Sequence, residues 1–400
     1  MRIILYTDLQ AEEGRLFWHR DLGLLTKAFR DLGHEAWLVV HSAKLRPRES
    51  KVRSEAGPPP ATRHDPVIWA SATDVRNPAW WQSQKPDLVI LGLWSRPKYD
   101  PIRRAALSAT QRVIERADSD GMRTASCGLL AYTRRRYDYF RDRTYRWPAL
   151  FSIPGSVLYA LASVLATPWV ESRLARTLKL LPTLTVETPQ ALALWKKLAA
   201  KLGADPDRIL YVPHPIQTDI FRPNSLIFKK NQIISVGRWE SYQKNFPLLM
   251  KTILAFLDKN PAWSALVVGS GLPTTSGHSR VTFSPYLDAP ELALRMQESA
   301  VFLSTSRYES FGLAAMEAFL CGCRIEAPPA LNLWAGLQQP QTGLSQGDRT
   351  DRKETIFFGD PPGRSFVIPW HPHPDDFAGR TIASALIART APPLKLQAFQ

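Results

Sequence analysis

Two glutamates and two cations in the second half of the chain are the side chains best suited to chemistry. Glu309 and Glu317 bracket Ser310, Phe311, Gly312 and Leu313, after an apolar run and at the start of a helix-forming stretch that Gly322 closes. Counted along a helix, eight residues turn through about 800° and rise about 12 Å, which puts both carboxylates toward one cleft at successive levels. One would meet the sugar end of a ligand and the other a group further along it. Gly312 lets a ligand approach the backbone, and the N–H groups of a helix start attract an anion such as a diphosphate. Gly237 and Arg238, followed by Lys244, end an earlier apolar run. A guanidinium grips phosphate oxygens in a fork and an ammonium acts as a point charge, so the pair would neutralise a departing pyrophosphate without a metal.

These groups need strands to aim them. In the second half, Gln232 to Val236, Ala265 to Val268 and Val301 to Ser304 read as strands, the second ending at Gly269, Ser270 and Gly271, and Leu248 to Leu257 reads as a helix. The first half has the same rhythm: Arg2 to Thr7, Ala36 to Val40, Asp87 to Trp94, Arg112 to Ala117 and Thr183 to Glu187 read as strands, with helices over Leu16 to Leu32 and after Pro189. A chain of 400 residues exceeds what one core usually organises. Pro213, Pro215 and Pro223 mark the break. The expected fold class is therefore α/β, with two Rossmann-like, doubly wound domains facing across a cleft that holds the active site. The expected division is 1–215, 216–378, and a tail, 379–400, crossing back to the first domain.

The pattern E-x-F-G-x-x-x-x-E from Glu309 to Glu317, with Gly237, Arg238, Lys244 and the Gly269–Gly271 turn, resembles the retaining glycosyltransferases of the two-domain GT-B fold, in the large group called family 4. The motifs span about one hundred residues of the second half; the first half resembles the family mainly in layout, including the Leu32, Gly33, His34, Glu35 turn. The resemblance implies a nucleotide-diphosphate-sugar donor held chiefly by the second domain, with Glu317 on the ribose and Arg238 and Lys244 on the diphosphate. Glu309, Phe311 and Gly312 would lie at the donor sugar, and Gly269, Gly271, Ser310 and Leu313 complete the donor-binding set. It also implies retention of anomeric configuration, with no cofactor and no metal.

The chain departs from that pattern in two places. Family members commonly carry a glycine pair after the first strand; here Gly14 stands alone beside Arg15, and these two are the candidate acceptor-side loop residues. They also commonly place a histidine at the end of a first-domain strand; the matching region reads Asp118, Ser119, Asp120, Gly121, so Asp118 or Asp120 is expected to take over the contact with sugar hydroxyls or acceptor. The same four residues are also good turn chemistry by themselves. His19, His34, His64 and His214 have no metal-site spacing.

Charge points to an anionic partner. The chain carries 51 Lys plus Arg against 36 Asp plus Glu, a net of +15. From Arg96 to Arg146 there are 13 basic and 6 acidic residues, a net of +7. Next to it, Ala149 to Val170 has no charged residue, so the basic and apolar helical segment 134–176 reads either as a buried helix or as one lying on an anionic membrane surface. Arginines mixed with Tyr132, Tyr137, Tyr139 and Tyr145 also suit a nucleic acid, but no nucleic-acid motif accompanies them and no such partner is expected. Three cysteines, Cys127, Cys321 and Cys323, with no C-x-x-C pair, fit a reducing cytoplasm better than a disulfide framework. The first residues read as a strand and not as a secretory signal. The expectation is a cytoplasmic enzyme, peripheral to the inner face of the membrane, that transfers sugar to a polysaccharide, lipid-linked glycan or small molecule. A non-catalytic sugar-nucleotide-binding or scaffold protein of the same fold is the alternative, and a basic nucleic-acid-binding protein a further one.

Overall fold

A computed structural model describes residues 1–10, 21–41, 66–328 and 377–390. Along the chain come β1 (Arg2–Gln10), α1 (Asp21–Asp31), β2 (Glu35–His41), β3 (Val67–Ala70), α2 (Pro78–Gln84) and β4 (Leu88–Gly92). Next are α3 (Asp100–Leu107), β5 (Val113–Arg116), α4 (Leu129–Arg143), α5 (Ala149–Leu165), α6 (Thr167–Leu180), β6 (Thr183–Val186), α7 (Pro189–Lys201) and β7 (Ile209–Tyr211). The remainder is β8 (Lys230–Arg238), α8 (Phe246–Lys259), β9 (Ser264–Ser270), β10 (Val281–Ser284), α9 (Ala289–Glu298), β11 (Ser299–Leu303), α10 (Leu313–Leu320), β12 (Arg324–Glu326) and α11 (Gly379–Thr390).

The strands form two sheets, β3-β2-β1-β4-β5-β6-β7 and β10-β9-β8-β11-β12, and every pairing in both is parallel. Parallel strands need crossovers, which the intervening helices supply, so both sheets are of the Rossmann kind. Two compact units result. One comprises Met1–Ser119, Trp169–Gln217 and Asp375–Gln400; the other comprises Asp120–Pro168 and Thr218–Pro374.

This division corrects the expected 1–215 domain in one respect: residues 120–168, with the arginine-rich α4 and the apolar α5, belong with the second sheet. The reason is a set of polar contacts, described below, between α4 and the loop after β8. The chain passes back to the second unit between Gln217 and Thr218, within the proline-rich break, and its last segment, from Asp375, belongs to the first unit again.

In the first unit, strand alternation fills both faces of the sheet. Ile3, Leu5, Leu38, Leu88 and Ile90 pack with Leu22, Leu25 and Phe29 of α1, whereas Ile4, Tyr6, Val39, Val89 and Leu91 pack with Trp81 and Ile102 of α2 and α3. Burial on both faces is what makes these strands near-continuous apolar runs. Helix α11 joins the first group through Ile382, Ala383 and Leu386, and a parallel bridge from Ile216 to Ala378 leads into it. At the other end of β5, the Arg103 guanidinium of α3 pairs with both oxygens of Glu115, at 2.5 and 2.7 Å, and both side chains are fully buried. Glu115 also accepts from the Ser95 N–H at 2.6 Å, which ties down the turn after β4 where Trp94 and Ser95 adopt positive φ. In the second unit, Ile233, Ala265, Val267 and Leu303 of the strands bury Leu249, Ile253 and Leu257 of α8.

Candidate functional site

In the second unit the loops after β8 and β11 are stitched together. The Arg307 N–H donates to the Gln243 carbonyl at 2.8 Å, Gln243 Nε2 donates to the Tyr308 carbonyl at 2.8 Å, and Thr305 Oγ1 donates to the Lys244 carbonyl at 3.0 Å. These bonds bring Lys244 Nζ to 2.5 Å from Glu309 Oε1, while Gln243 Nε2 stands 3.4 Å from Glu309 Oε2. Lys244 and Glu309 keep 19% and 11% of their side-chain exposure, so the pair is mostly desolvated and still reachable by a ligand. Sixty-five residues apart in sequence, the pair meets at the carboxyl ends of β8 and β11, where open α/β sheets bind ligands.

Glycines keep the floor of this site open. The Lys244 stem lies over Gly237, where an added Cβ would come within 3.3 Å of its Cγ. Gly269, at φ +135°, passes so close to β8 that a Cβ would lie 1.8 Å from the Gly237 carbonyl oxygen. Gly271, at φ +72°, runs beside Glu240, whose carboxylate accepts from Ser270 Oγ at 3.0 Å. No side chain is compatible with these approaches, which explains glycine at both places in structural terms. Arg238 is the last residue of β8, opposite Ser270, with an exposed side chain.

Helix α10 begins at Leu313 because Gly312, its N-cap, sits in the left-handed region at φ +77°. Glu309 therefore precedes the helix, and the helical arithmetic relating it to Glu317 does not apply; only Glu317, half-buried, is carried by α10. Ser310 is half-buried in the turn, and Phe311 is 2% exposed. The Phe311 ring, expected at the donor sugar, is thus packed into the protein beneath the turn.

The turn that carries Lys244 is held from α4. Asp142 accepts from Ser241 Oγ at 2.8 Å and from the Gln243 N–H at 3.0 Å, and Tyr242 donates to Asp138 at 3.4 Å. The Arg307 guanidinium lies 4.2 Å and that of Arg141 5.2 Å from the Tyr242 ring centre. Arg135 stacks 3.7 Å from the Tyr308 ring centre and donates through Nε to Asp120 Oδ2 at 2.8 Å. Burial, together with the negative charge of Asp142, pushes the Tyr308 hydroxyl well up, so it stays a proton donor. Asp120 also accepts from the Met122 N–H at 3.0 Å. It is therefore a brace for Arg135, in a different unit from Asp118.

Asp118 belongs to a second constellation, in the first unit, that gathers behind the carboxyl ends of three strands. Asp118 follows β5, Glu187 follows β6, His214 follows β7, and Asp21 opens α1. His214 Nδ1 stands 3.3 Å from Asp21, and its Nε2 is 3.6 Å from Asp118 and 4.0 Å from Glu187. Arg116 Nε is 3.4 Å from Asp21, and its NH2 donates to the Pro213 carbonyl at 3.0 Å. The Asp118 and Ser119 N–H groups donate to Glu187 at 2.8 and 3.3 Å, and Trp94 Nε1 donates to Asp118 at 3.2 Å. Asp118 itself, at φ +38°, keeps 38% of its side-chain exposure, whereas His214 keeps 6% and Glu187 none.

Burial alone would lower His214, but the Asp21 charge and the hydrogen bonds to Asp118 and Asp21 push it up to about 10. Burial raises Glu187 to about 7 in spite of His214. Asp21 is pulled the other way: burial raises it, yet His214 and Arg116 hold it below its ordinary range. One ligand atom from each of Asp118, Glu187 and His214 lies within 4.8 Å of the others, a spread that would hold a cation. Against that, Glu187 already accepts two backbone N–H groups and His214 favours its protonated form, which repels a metal. The cluster reads as a largely buried ion network whose most exposed carboxylate is Asp118.

Sequence reasoning did not single out Gln243, Asp142, Arg135, Glu187, Asp21 or the partnership of His214. Only topology brings them together. The one available signal was position: Glu187 and His214 each stand just past an apolar run. Gly14 and Arg15 lie outside the described residues.

A two-domain α/β protein of the GT-B class is what these sheets define, and comparison with a solved structure agrees: trehalose-6-phosphate synthase aligns over 84% of this chain and 86% of its own, at 11% identity and a TM-score of 0.50. At that identity the likeness concerns the fold alone. Residues 230–325, which hold β8 to β11 and every donor-side candidate, match the family described as Glycosyl transferases group 1. Among curated proteins the chain is 26% identical over 176 residues to a D-inositol 3-phosphate glycosyltransferase of Acidothermus cellulolyticus, covering 37% of this chain and 39% of the relative. It is 28% identical over 181 residues to the protein of that name from Rhodococcus opacus, covering 39% and 40%. The aligned part thus spans about two fifths of these relatives.

Proposed function

We propose that the chain is a glycosyltransferase that takes a sugar from a nucleotide-diphosphate donor, retains its anomeric configuration and requires no metal. The observation that carries the reading is the Lys244–Glu309 pair at the carboxyl ends of β8 and β11, inside the segment that matches glycosyl transferases group 1. Lys244, in the loop after β8, meets the diphosphate together with Arg238 at the end of that strand and stabilises the charge that grows on it as the glycosidic bond breaks. Glu309 holds Lys244 in place and presents its second oxygen to sugar hydroxyls, and Glu317 takes the ribose. The N–H groups behind Gly312 add a helix-start anion site. In the first unit, Asp118 is the accessible carboxylate for an acceptor hydroxyl. The acceptor class is a carbohydrate, a lipid-linked glycan or a small molecule; the inositol phosphate in the relatives' name makes a phosphorylated polyol the first small molecule to try.

The test has two parts. Thermal unfolding with UDP-, GDP- and ADP-sugars should show one nucleotide series raising the unfolding temperature selectively, because a ligand that binds only the folded state stabilises it. With that donor, Lys244→Ala should lower turnover about 10²- to 10³-fold, and chelator should leave it unchanged. No shift with any nucleotide sugar, or unaltered turnover in Lys244→Ala, would remove the reading. The anomeric signal of the product by NMR decides retention.

A further inference from the structure

Helix α5 is built the wrong way round for a helix in water. The residues it turns inward are small or hydroxyl-bearing: Ser152, Ser156 and Ala160 are buried, and Ser163 and Tyr159 partly so. The residues it turns outward are large and apolar. Leu150 is 77% exposed, Phe151 65%, Leu158 70% and Leu165 81%, with Ile153, Val157 and Leu161 between them. From Leu150 to Leu165 the exposed face runs about 22 Å. Helices that meet in lipid pack through small residues and turn their apolar side chains outward, because the hydrocarbon there plays the part of a core.

The inward face is occupied by α4. Arg136 donates to the Tyr159 hydroxyl and, at 3.2 Å, to Ser163, and Arg141 donates to Ser152. The Tyr159 ring lies against Phe140 and Arg136. Arginines of α4 thus bind Ser152, Tyr159 and Ser163 on the inward face of α5, Ser156 donates to the Ser152 carbonyl, and the leucines are left outside. Around the turn between the helices, Arg143, Tyr145, Arg146 and Trp147 are all exposed, and Arg134 keeps 69% of its side-chain exposure. No acidic residue occurs between Asp142 and Glu171. Among the described residues no single helix is long and apolar enough to cross a membrane; α5 reaches that measure only jointly with α6 across a bend.

We propose that the outward face of α5 lies in the surface of an anionic lipid bilayer, with its leucines and Phe151 in the acyl boundary and Trp147, Arg143 and Arg146 at the headgroups. Apolar contact and basic charge together are what an interfacial helix needs. The charge argues against a second copy of the chain as occupant, because two such faces would bring like-charged arginine rims together. The proposal stands apart from the reading of the donor site, which α5 does not enter.

Co-sedimentation of the full chain with phosphatidylcholine vesicles, with and without phosphatidylglycerol, tests it. The wild type should sediment with the anionic vesicles, less with the neutral ones, and less again in high salt. The pair Leu158→Glu and Leu161→Glu should weaken sedimentation about tenfold or more, with an unchanged unfolding temperature and unchanged nucleotide-sugar stabilisation, since both side chains are exposed. The pair Arg143→Glu and Arg146→Glu should remove the preference for anionic lipid. Equal sedimentation of the leucine variant and the wild type would overturn the proposal. So would no sedimentation of the wild type with either vesicle, or a lipid-free dimer that the leucine variant converts to a monomer.

Discussion

The Lys244–Glu309 pair and the His214 cluster both sit at the carboxyl ends of parallel strands, yet they are built by opposite means. The first is one cation and one carboxylate on two loops, joined by hydrogen bonds of neighbouring residues and left partly open. The second gathers three carboxylates, an imidazole and a guanidinium from four separate segments and buries nearly all of them. A pair of the first kind is free to exchange partners with a charged ligand. A network of the second kind is bound up in the fold: His214 and Asp21 hold one another charged, while burial works against the charge on Glu187. Removing a member of the pair should therefore cost turnover, and removing a buried member of the network should cost stability.

The largest effect that could break this contrast is that of His214→Ala. It takes the imidazolium away from Asp21, Asp118 and Glu187 and leaves Arg116 as the cation paired with Asp21. Breaking a buried ion network by deleting one partner costs about 3–5 kcal/mol, read as a fall in unfolding temperature or denaturant midpoint. Lys244→Ala should lose far less stability while losing turnover. Equal stability losses in the two variants would erase the distinction.

Next in size is the pH dependence. His214 is raised from 6.5 to about 10, so its contribution is complete below 6.5 and is lost as pH rises through about 10. Glu187 is raised from 4.5 to about 7, so its contribution is complete below 4.5 and is lost as pH rises through about 7. Asp21, held low, acts in the other direction: its contribution is present above 3.8 and is lost as pH falls further. The unfolding temperature should thus be highest in mild acid and fall in two stages toward alkaline pH. In His214→Gln the upper stage should disappear. A flat profile above neutrality in the wild type would show that His214 is neutral and the network differently charged.

The same contrast explains what the sequence could tell. Lys244, Glu309, Gly269, Gly271 and Gly312 were legible because each stands at a strand end or a helix start, and local chemistry fixes such places: a strand that ends in glycine where two backbones nearly touch, a glycine at positive φ before a helix. The near-continuous apolar run from Asp87 to Trp94 likewise marked a strand covered on both faces, and its residues divide between the two cores. His214, Asp21 and Glu187 were illegible, since nothing near any of them in the chain indicates a partner; the adjacency of β5, β6 and β7 brings Glu187 and His214 together, and the start of α1 adds Asp21. The membership of α4 and α5 was hidden for a related reason. Chain order puts them in the first half, but Asp142 and Arg135 find their partners in the loops after β8 and β11.

Asp142 sharpens the comparison at intermediate cost, because it serves the open site from outside it. Asp142→Ala leaves the Ser241 hydroxyl and the Gln243 N–H without the carboxylate they share and loosens the turn that aims Lys244. An unsatisfied donor costs about 1–3 kcal/mol, and misplacement of Lys244 should lower turnover about tenfold, with Asp142→Asn restoring most of it because its amide oxygen still accepts. An Asn variant as impaired as the Ala variant would mean that charge, and not position, is what Asp142 supplies.

The smallest expected effect separates the two acids of the Asp118 to Gly121 turn. Asp120 pairs with Arg135, and the two keep 21% and 25% of their side-chain exposure. Arg135 retains its stacking on Tyr308 when that carboxylate is neutralised. Asp120→Asn should therefore cost about 1 kcal/mol or less, as partly solvated pairs do, and leave turnover within about twofold. Asp118→Asn removes a charge from the His214 network at its most exposed carboxylate, so it should lower turnover more than it lowers the unfolding temperature. Measured side by side, the two variants decide whether that short acidic turn serves one unit or both: a larger loss of turnover in Asp120→Asn would make the brace on Tyr308 the more important of the two.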